Sequence, residues 1–278
     1  FIFLGLAIKS GLFPFYFWMP DTYGYATTAS SSVISGVVSK AYIFLAIKII
    51  YRVIGIDVIK STHILDMLFV FGLCGIIAGS LQAIKENNLN RMIAFSSAAQ
   101  IGYIFVGIGL GTAAGTIAAI FHMLTHALTK PLLFTAADGL IDATGNKKDF
   151  LSLQGSAHRN KIAGFGFAVG AISMVGLPVF AGFVSKLLFA TAAVECDEKT
   201  LITLIVLAIS TILNTIYFLR TVIRIYTPAL PENIGIYSPI KMQTGFTVAI
   251  IVFVCINFLF GLHPQPIIDV ITNGLKLL

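Results

Sequence analysis

Charge is what this sequence has least of: Asp, Glu, Lys and Arg supply 11% of its 278 residues, whereas 57% are hydrophobic. So little charge cannot cover a water-soluble domain, and the mean hydropathy of +0.94 places the chain in a bilayer. Cysteine is scarce as well. Cys74, Cys196 and Cys255 are isolated and odd in number, which leaves neither a CxxC metal pattern nor a disulfide framework. Without clustered cysteines or a glycine-rich nucleotide loop, no iron–sulfur centre, flavin or other cofactor is expected. Strands of about ten residues with period-two alternation are missing, which excludes a membrane β-barrel and leaves an all-α bundle. The net charge of +6 raises the question of nucleic acid. There is no basic stripe with interleaved aromatics, and much of the positive charge lies in short loops or inside helices, so that partner is set aside. No charged leader or small-residue cleavage site precedes Phe1, which stands in an apolar run; the expectation is the downstream part of a longer protein.

What the chain does have is a series of apolar segments, each near the roughly 20 residues needed to cross the hydrocarbon. Residues 1–13 are apolar except for Lys9, and Gly11, Pro14 and Pro20 then interrupt the helix around Phe15, Tyr16, Phe17 and Trp18. Asp21 to Ala29 reads as a short polar loop. Further spans are expected at about Ser30–Arg52, Ile64–Ile84, Met92–Leu110 and Ala113–Leu140. The stretch from about Ile162 to Val194 is too long for one plain crossing, and Gly176, Pro178 and Gly182 break it. Leu201–Tyr226 and Gln243–Leu262 follow, the last closed by His263, Pro264, Gln265 and Pro266. The result is a polytopic transmembrane bundle of about eight spans, two of them broken. Alternate loops place Lys85, Arg91, Lys147, Lys148, Arg159, Lys161, Arg224 and Lys241 on one side, against Arg52, Lys60, Lys199 and Lys276 on the other. The positive-inside bias makes the first side cytoplasmic and puts the C-terminus outside.

One helix carries an unusual row: His122, His126 and Lys130 recur in steps of four and so share a face. A charge at mid-membrane costs roughly 2.5 to 3.5 kcal/mol on insertion scales, so such residues face a protein interior or water. Histidine, with an unperturbed pKa near 6.5, takes and releases protons near neutrality. Zinc wants three or four ligands at closed spacing and this helix offers two, so no metal is assigned. Asp138 lies on the same helix but well off that face, and Pro131 stands between them; its role is open. Lys9 and Lys186 each sit beside a helix break, where unwound backbone must be satisfied by water or charge. A single lysine there reads equally well as one that snorkels to a surface. Lys9, Lys40, Lys130 and Lys186 together, all well inside spans, read as functional. Lys48 and Arg52 lie near a helix end and are assigned as interfacial anchors.

Several of these stretches, in this order, resemble one family. They are KSGLFPFYFWMPD from Lys9 to Asp21, SSSVISGVVSK ending at Lys40, NRMIAFSSAAQIGY from Asn90 to Tyr103, HMLTHALTKPLLF from His122, and GLPVFAGFVSK ending at Lys186. The set is similar to the antiporter-like membrane subunits shared by respiratory complex I, Mrp cation/proton antiporters and membrane-bound hydrogenases. The resemblance implies a fourteen-helix fold with two inverted repeats. Residues 1–54 would be the remainder of the first, 64–227 the second, and 241–263 a C-terminal transmembrane helix. It also implies that Lys40, His122, His126, Lys130 and Lys186 relay protons, and that Lys9 switches charge with an acidic partner. The family's glutamate for that role has no counterpart in these residues. Tyr16 stands where the family's PFHxWLPxAH pattern has its first histidine, so no role carries over to it.

The function expected is therefore proton translocation, with sodium coupling open, by one member of a larger membrane complex that includes homologous antiporter-like subunits. The location expected is a bacterial or archaeal plasma membrane, and any redox chemistry belongs to partner subunits. A stand-alone secondary transporter with its substrate site at the broken helices is the alternative. A purely structural anchor is the third reading, disfavoured by the buried lysines.

Overall fold

The computed structural model describes residues 1–228 and 243–277; Lys241, counted above with the positive loops and at the start of the segment 241–263, lies outside them. In hydrocarbon a backbone can satisfy its N–H and C=O groups only internally, so long apolar runs become helices. The main ones are α1 (Ile2–Ser10), α2 (Trp18–Tyr25), α3 (Thr28–Ile54), α4 (Ile64–Lys85), α5 (Leu89–Gly109), α6 (Ala113–Asp142), α7 (Lys161–Val175), α8 (Ala181–Val194), α9 (Asp197–Tyr226), α10 (Thr244–Leu262) and α11 (Gln265–Lys276). Among the described residues the only bridge between extended segments is the isolated antiparallel pair Asn88 and Asp149.

Seven stretches are long and apolar enough to cross a membrane: residues 2–25, taken through α1 and α2, then α3, α4, α5, α6, α9 and α10. The 15 residues of α7 and the 14 of α8 are each too short, and together they make an eighth crossing in two halves. Helix starts are fixed locally. The Asn88 side chain accepts from the Asn90 and Arg91 amides (3.0 and 3.2 Å) to open α5, Thr112 accepts from Gly115 (3.0 Å) to open α6, and Asn160 accepts from Ala163 (3.1 Å) to open α7.

Both breaks have a backbone cause. At the first, Gly11 ends α1 in the left-handed region (φ 83°), and Pro14 with a short 3₁₀ turn over Phe15–Phe17 leads into α2. At the second, Gly176 ends α7 with φ 89°, Pro178 and Val179 follow, and α8 restarts at Ala181. The closest approach lies here: a Cβ on Gly182 would stand 1.8 Å from the Ser173 carbonyl oxygen, so only glycine lets α8 start against α7.

Two local expectations are corrected. Asp21 to Tyr25 is helical rather than loop, because Pro20 falls in the first turn of α2, where a missing N–H costs nothing. Asp21 meets the positive N-terminal dipole there and pairs with Arg91 of α5. The second span runs on to Ile54 and includes two π-helical stretches, Ile34–Val38 and Ile49–Ile54. The last span closes at His263 and Pro264 as expected, and Pro264 and Pro266 then start α11, a short amphipathic helix with proline at its first turn, packed against α6.

In cross-section α5 is the axis, buried over nearly its whole length, with α4 and α6 packed on it, whereas α10 is mostly exposed at the periphery. Polar ties close both ends of the bundle. Arg91, Lys148 and Arg220 tie one end together through Asp21, the Gly24 carbonyl and the Ile84 carbonyl. Lys199 ties the other through Asp66 (2.7 Å) and the Gly109 carbonyl (2.8 Å).

Candidate functional site: a buried titratable axis

Helix α6 brings His122, His126 and Lys130 to one face, as steps of four dictate. All three are buried, in a helix that stays continuous through Pro131. The two imidazoles lie nearly parallel with ring centroids 6.1 Å apart. His122 Nδ1 is 2.6 Å from the Ser185 hydroxyl on α8, and its ring lies 5.4 Å from that of Tyr103 on α5. Neither ring nitrogen of His126, nor Nε2 of His122, has a hydrogen-bond partner among the described residues. Buried polar atoms in this state mark places where ordered water belongs.

Lys130 donates from Nζ to the Ile93 carbonyl (3.0 Å) and the Ser96 hydroxyl (2.5 Å), both on α5, and lies 5.8 Å from the centre of the Phe218 ring on α9. Ser96 and Ser97 also donate to the Ile93 carbonyl, so that one oxygen collects three side-chain donors. Lys40, on α3 next to the first π-helical stretch, is buried and donates to the Ser35 carbonyl. A π turn leaves the carbonyls of that segment loosely paired, which is what a buried amine needs. Ser35 in turn approaches Ser97 of α5 (3.4 Å), so Lys40 opens toward the same polar core. His126 lies within electrostatic reach of Lys40, Lys130 and His122.

Lys186 sits over the second break. Its Nζ donates to the carbonyl of Val175 (2.6 Å), the last residue of α7, and to the Thr211 hydroxyl of α9 (2.9 Å). The broken helix supplies the acceptor, since terminal carbonyls lack intrahelical partners. Gly176 supplies the room, since a Cβ there would meet Lys186 Cδ at 2.8 Å. Through Ser185, its neighbour on α8, the break is joined to His122.

The structure thus brings Lys40, Lys130, His126, His122 and Lys186 into one axis across α3, α6 and α8. Lys9 stands apart. It was expected to be buried and is exposed, because α1 turns only Ala7 and Ser10 fully inward and presents Lys9 to a surface recess of about 350 Å³ with Trp18, Thr22 and Tyr42. Pro14, Gly176 and Pro178 occupy the two breaks described above. Asp138, left open from sequence, accepts from Thr28 at the start of α3 and belongs to helix packing. The sequence reading missed Ser185, Thr211 and Asn257, which bonds Thr129 (2.9 Å). The one signal available was Asn257 itself, a lone amide in an apolar helix.

Residues 1–212 match the sequence profile described as NADH:quinone oxidoreductase/Mrp antiporter, TM. The chain is 34% identical over 235 residues to NADH-quinone oxidoreductase subunit N of Desulforudis audaxviator, covering 84% of this chain and 46% of the relative. It is 30% identical over 287 residues to a Na(+)/H(+) antiporter subunit of Alkalihalophilus pseudofirmus, covering 95% of this chain and 35% of the relative. Among solved structures, a chain of the Mrp complex from Dietzia sp. superposes with a TM-score of 0.87 at 22% identity, over 98% of this chain and 57% of that one. The chain spans about half the length of the curated subunit N relatives that it matches.

Proposed function

We propose, for a chain that belongs to the NADH:quinone oxidoreductase/Mrp antiporter transmembrane family, that it translocates protons along its buried axis as one component of a multisubunit membrane complex. The observation that carries this reading is the row Lys40, Lys130, His126, His122 and Lys186, in which two imidazoles lie next to each other with ring nitrogens free to hold water. Imidazole both accepts and donates, so a proton passed to one ring nitrogen can leave from the other. Lysine can serve only if it releases a proton. The soft acceptors around Lys130 and Lys186, which are carbonyls and hydroxyls with no carboxylate, do not pin it in the charged state.

In this reading residues 1–54 complete a first repeat whose other part covers the exposed Lys9 and supplies an acidic partner. Residues 64–227 form the second repeat, which holds the axis, and 241–263 is a closing helix. The partners are other membrane subunits, homologous antiporter-like ones among them. The membrane is a bacterial or archaeal plasma membrane with the C-terminus outside.

The test is His126→Ala in the full-length protein within its complex, reconstituted in liposomes with an internal pH dye, with and without sodium. Proton translocation falls about tenfold or more, equivalent to roughly 1.4 kcal/mol of barrier, while assembly is kept. Normal translocation with normal assembly removes the axis from the mechanism. A rate that follows sodium rather than pH reassigns the ion. Isolation of the functional full-length protein without partners favours a lone transporter.

A further inference from the structure

Arg220 and Arg224 stand one turn apart near the end of α9 and together line a surface recess of about 490 Å³ with Gln154, Ile216 and Ile223. For Arg220 part of the reason is structural. Its guanidinium donates to the Ile84 and Glu86 carbonyls (2.8 and 3.3 Å) and lies 4.9 Å from the centre of the Phe150 ring, which holds α9 to the end of α4. This uses two of its five N–H groups, and Nε lacks a partner. The Arg224 side chain has no hydrogen bond or ion pair among the described residues, and the two guanidinium groups lie within electrostatic reach of each other.

No carboxylate answers this pair. At the same end of the bundle Asp21 and Glu86 are engaged by Arg91, and Asp149 accepts from the Ser152 amide (2.9 Å). Among the described residues neither Arg220 nor Arg224 forms a salt bridge. Two like charges that share a recess, with spare donors and no counter-charge, make a site for an anion. Gln154 lines the same recess with its side-chain oxygen unpartnered, and its amide can offer N–H to the same anion.

Depth in the membrane identifies the source of that anion. The 30 residues of α9 measure about 45 Å, close to the roughly 40–45 Å of a bilayer with its headgroups. Arg224 and Arg220 then lie about 3 and 9 Å inside the end of the helix at Tyr226, at the level of lipid phosphates and just beneath it. Toward mid-membrane α9 turns Ile216, Ile212 and Ile209 outward, each more than 40% exposed, as a track for acyl chains.

We propose that Arg220 and Arg224 bind the phosphate of an anionic phospholipid whose chains lie along Ile216 and Ile212. A zwitterionic lipid fits less well, because its ammonium group would stand beside two guanidinium groups. The phosphate accepts from both arginines and offsets their mutual repulsion, so the lipid becomes part of the joint between α9 and α4. The site stands whether or not the axis carries protons.

The test reconstitutes the full-length protein within its complex in phosphatidylcholine vesicles that contain a trace of either phosphatidylglycerol or phosphatidylcholine with the same photoreactive acyl chain. Cross-links are mapped by peptide mass spectrometry. Phosphatidylglycerol is expected to label residues 209–223 about five-fold more than phosphatidylcholine does, the size set by one basic side chain at an anionic headgroup. Arg224→Gln is expected to bring the two lipids to the same level there, with labelling near Leu201 and Ile202, at the other end of α9, unchanged. Equal labelling of residues 209–223 by the two lipids in the wild-type complex overturns the site even if the variant fails to assemble. A preference that survives Arg224→Gln overturns it too. Loss of the phosphatidylglycerol labelling in excess inorganic phosphate marks a site for a soluble anion and overturns the lipid. No labelling by either lipid shows the face covered by a neighbouring subunit and overturns the proposal as well.

Discussion

Lys186 is the residue where charge and proton transfer can be told apart. Its arm crosses the gap left by Gly176 to reach the Val175 carbonyl and the Thr211 hydroxyl, so a positive group is well placed there whether or not it ever lets go of a proton. Arginine keeps the charge and cannot give it up. Lys186→Arg is expected to lose transport about as severely as Lys186→Ala, roughly tenfold, measured as proton flux across pH in the reconstituted complex. Full rates with Arg would make Lys186 a fixed electrostatic group. At this scale the histidines and lysines of the axis were legible because titratable residues in an apolar helix stand out. Their partners were not. Ser185, Ser96 and Thr211 are ordinary small polar residues until folding sets them beside a lysine or histidine from a distant helix, and the exposure of Lys9 depends on what packs on α1.

At the scale of elements, the second break is the most tightly specified joint. Gly182 donates its amide to Ser173 Oγ (3.3 Å) and stands where any Cβ would collide with the Ser173 carbonyl. Gly182→Ala must push α8 off α7, and overpacking of this kind costs about 1–3 kcal/mol. The expected result is a lower unfolding temperature in detergent, together with loss of the contact between Lys186 and the end of α7. An unchanged melting curve would mean that the joint yields without cost. A looser contact lies between α3 and α6, where a Cβ on Gly36 would come 2.8 Å from Pro131 Cγ. Spans and breaks were legible because Gly and Pro leave few alternatives. The π-helical stretches were not, since Ile34–Val38 holds its shape through tertiary contacts with α6 and carries no periodicity of its own. The extra turn of α2 was hidden because its stabilising partner, Arg91, lies 70 residues away.

For the molecule as a whole, the two sides counted from sequence differ in their number of cations and should differ in access. With Cys74, Cys196 and Cys255 replaced, a cysteine at Lys147 is expected to react with an impermeant maleimide from the cytoplasmic side only, and one at Thr62 from the opposite side only. Reaction of both from one face would undo the count of crossings. The interior has a sign. Lys40, Lys130, His122 and His126 are buried, and no Asp or Glu is buried with them among the described residues. Two positive charges 6.1 Å apart, the spacing of the histidine rings, repel by about 3 kcal/mol at an effective dielectric constant near 20. Adjacent places on the axis therefore cannot both be filled cheaply. Under the proposed function the row would work as a queue with a rule of alternate occupancy, in which an arrival at one end evicts the occupant ahead of it. Direction in such a queue would be set by which end is emptied.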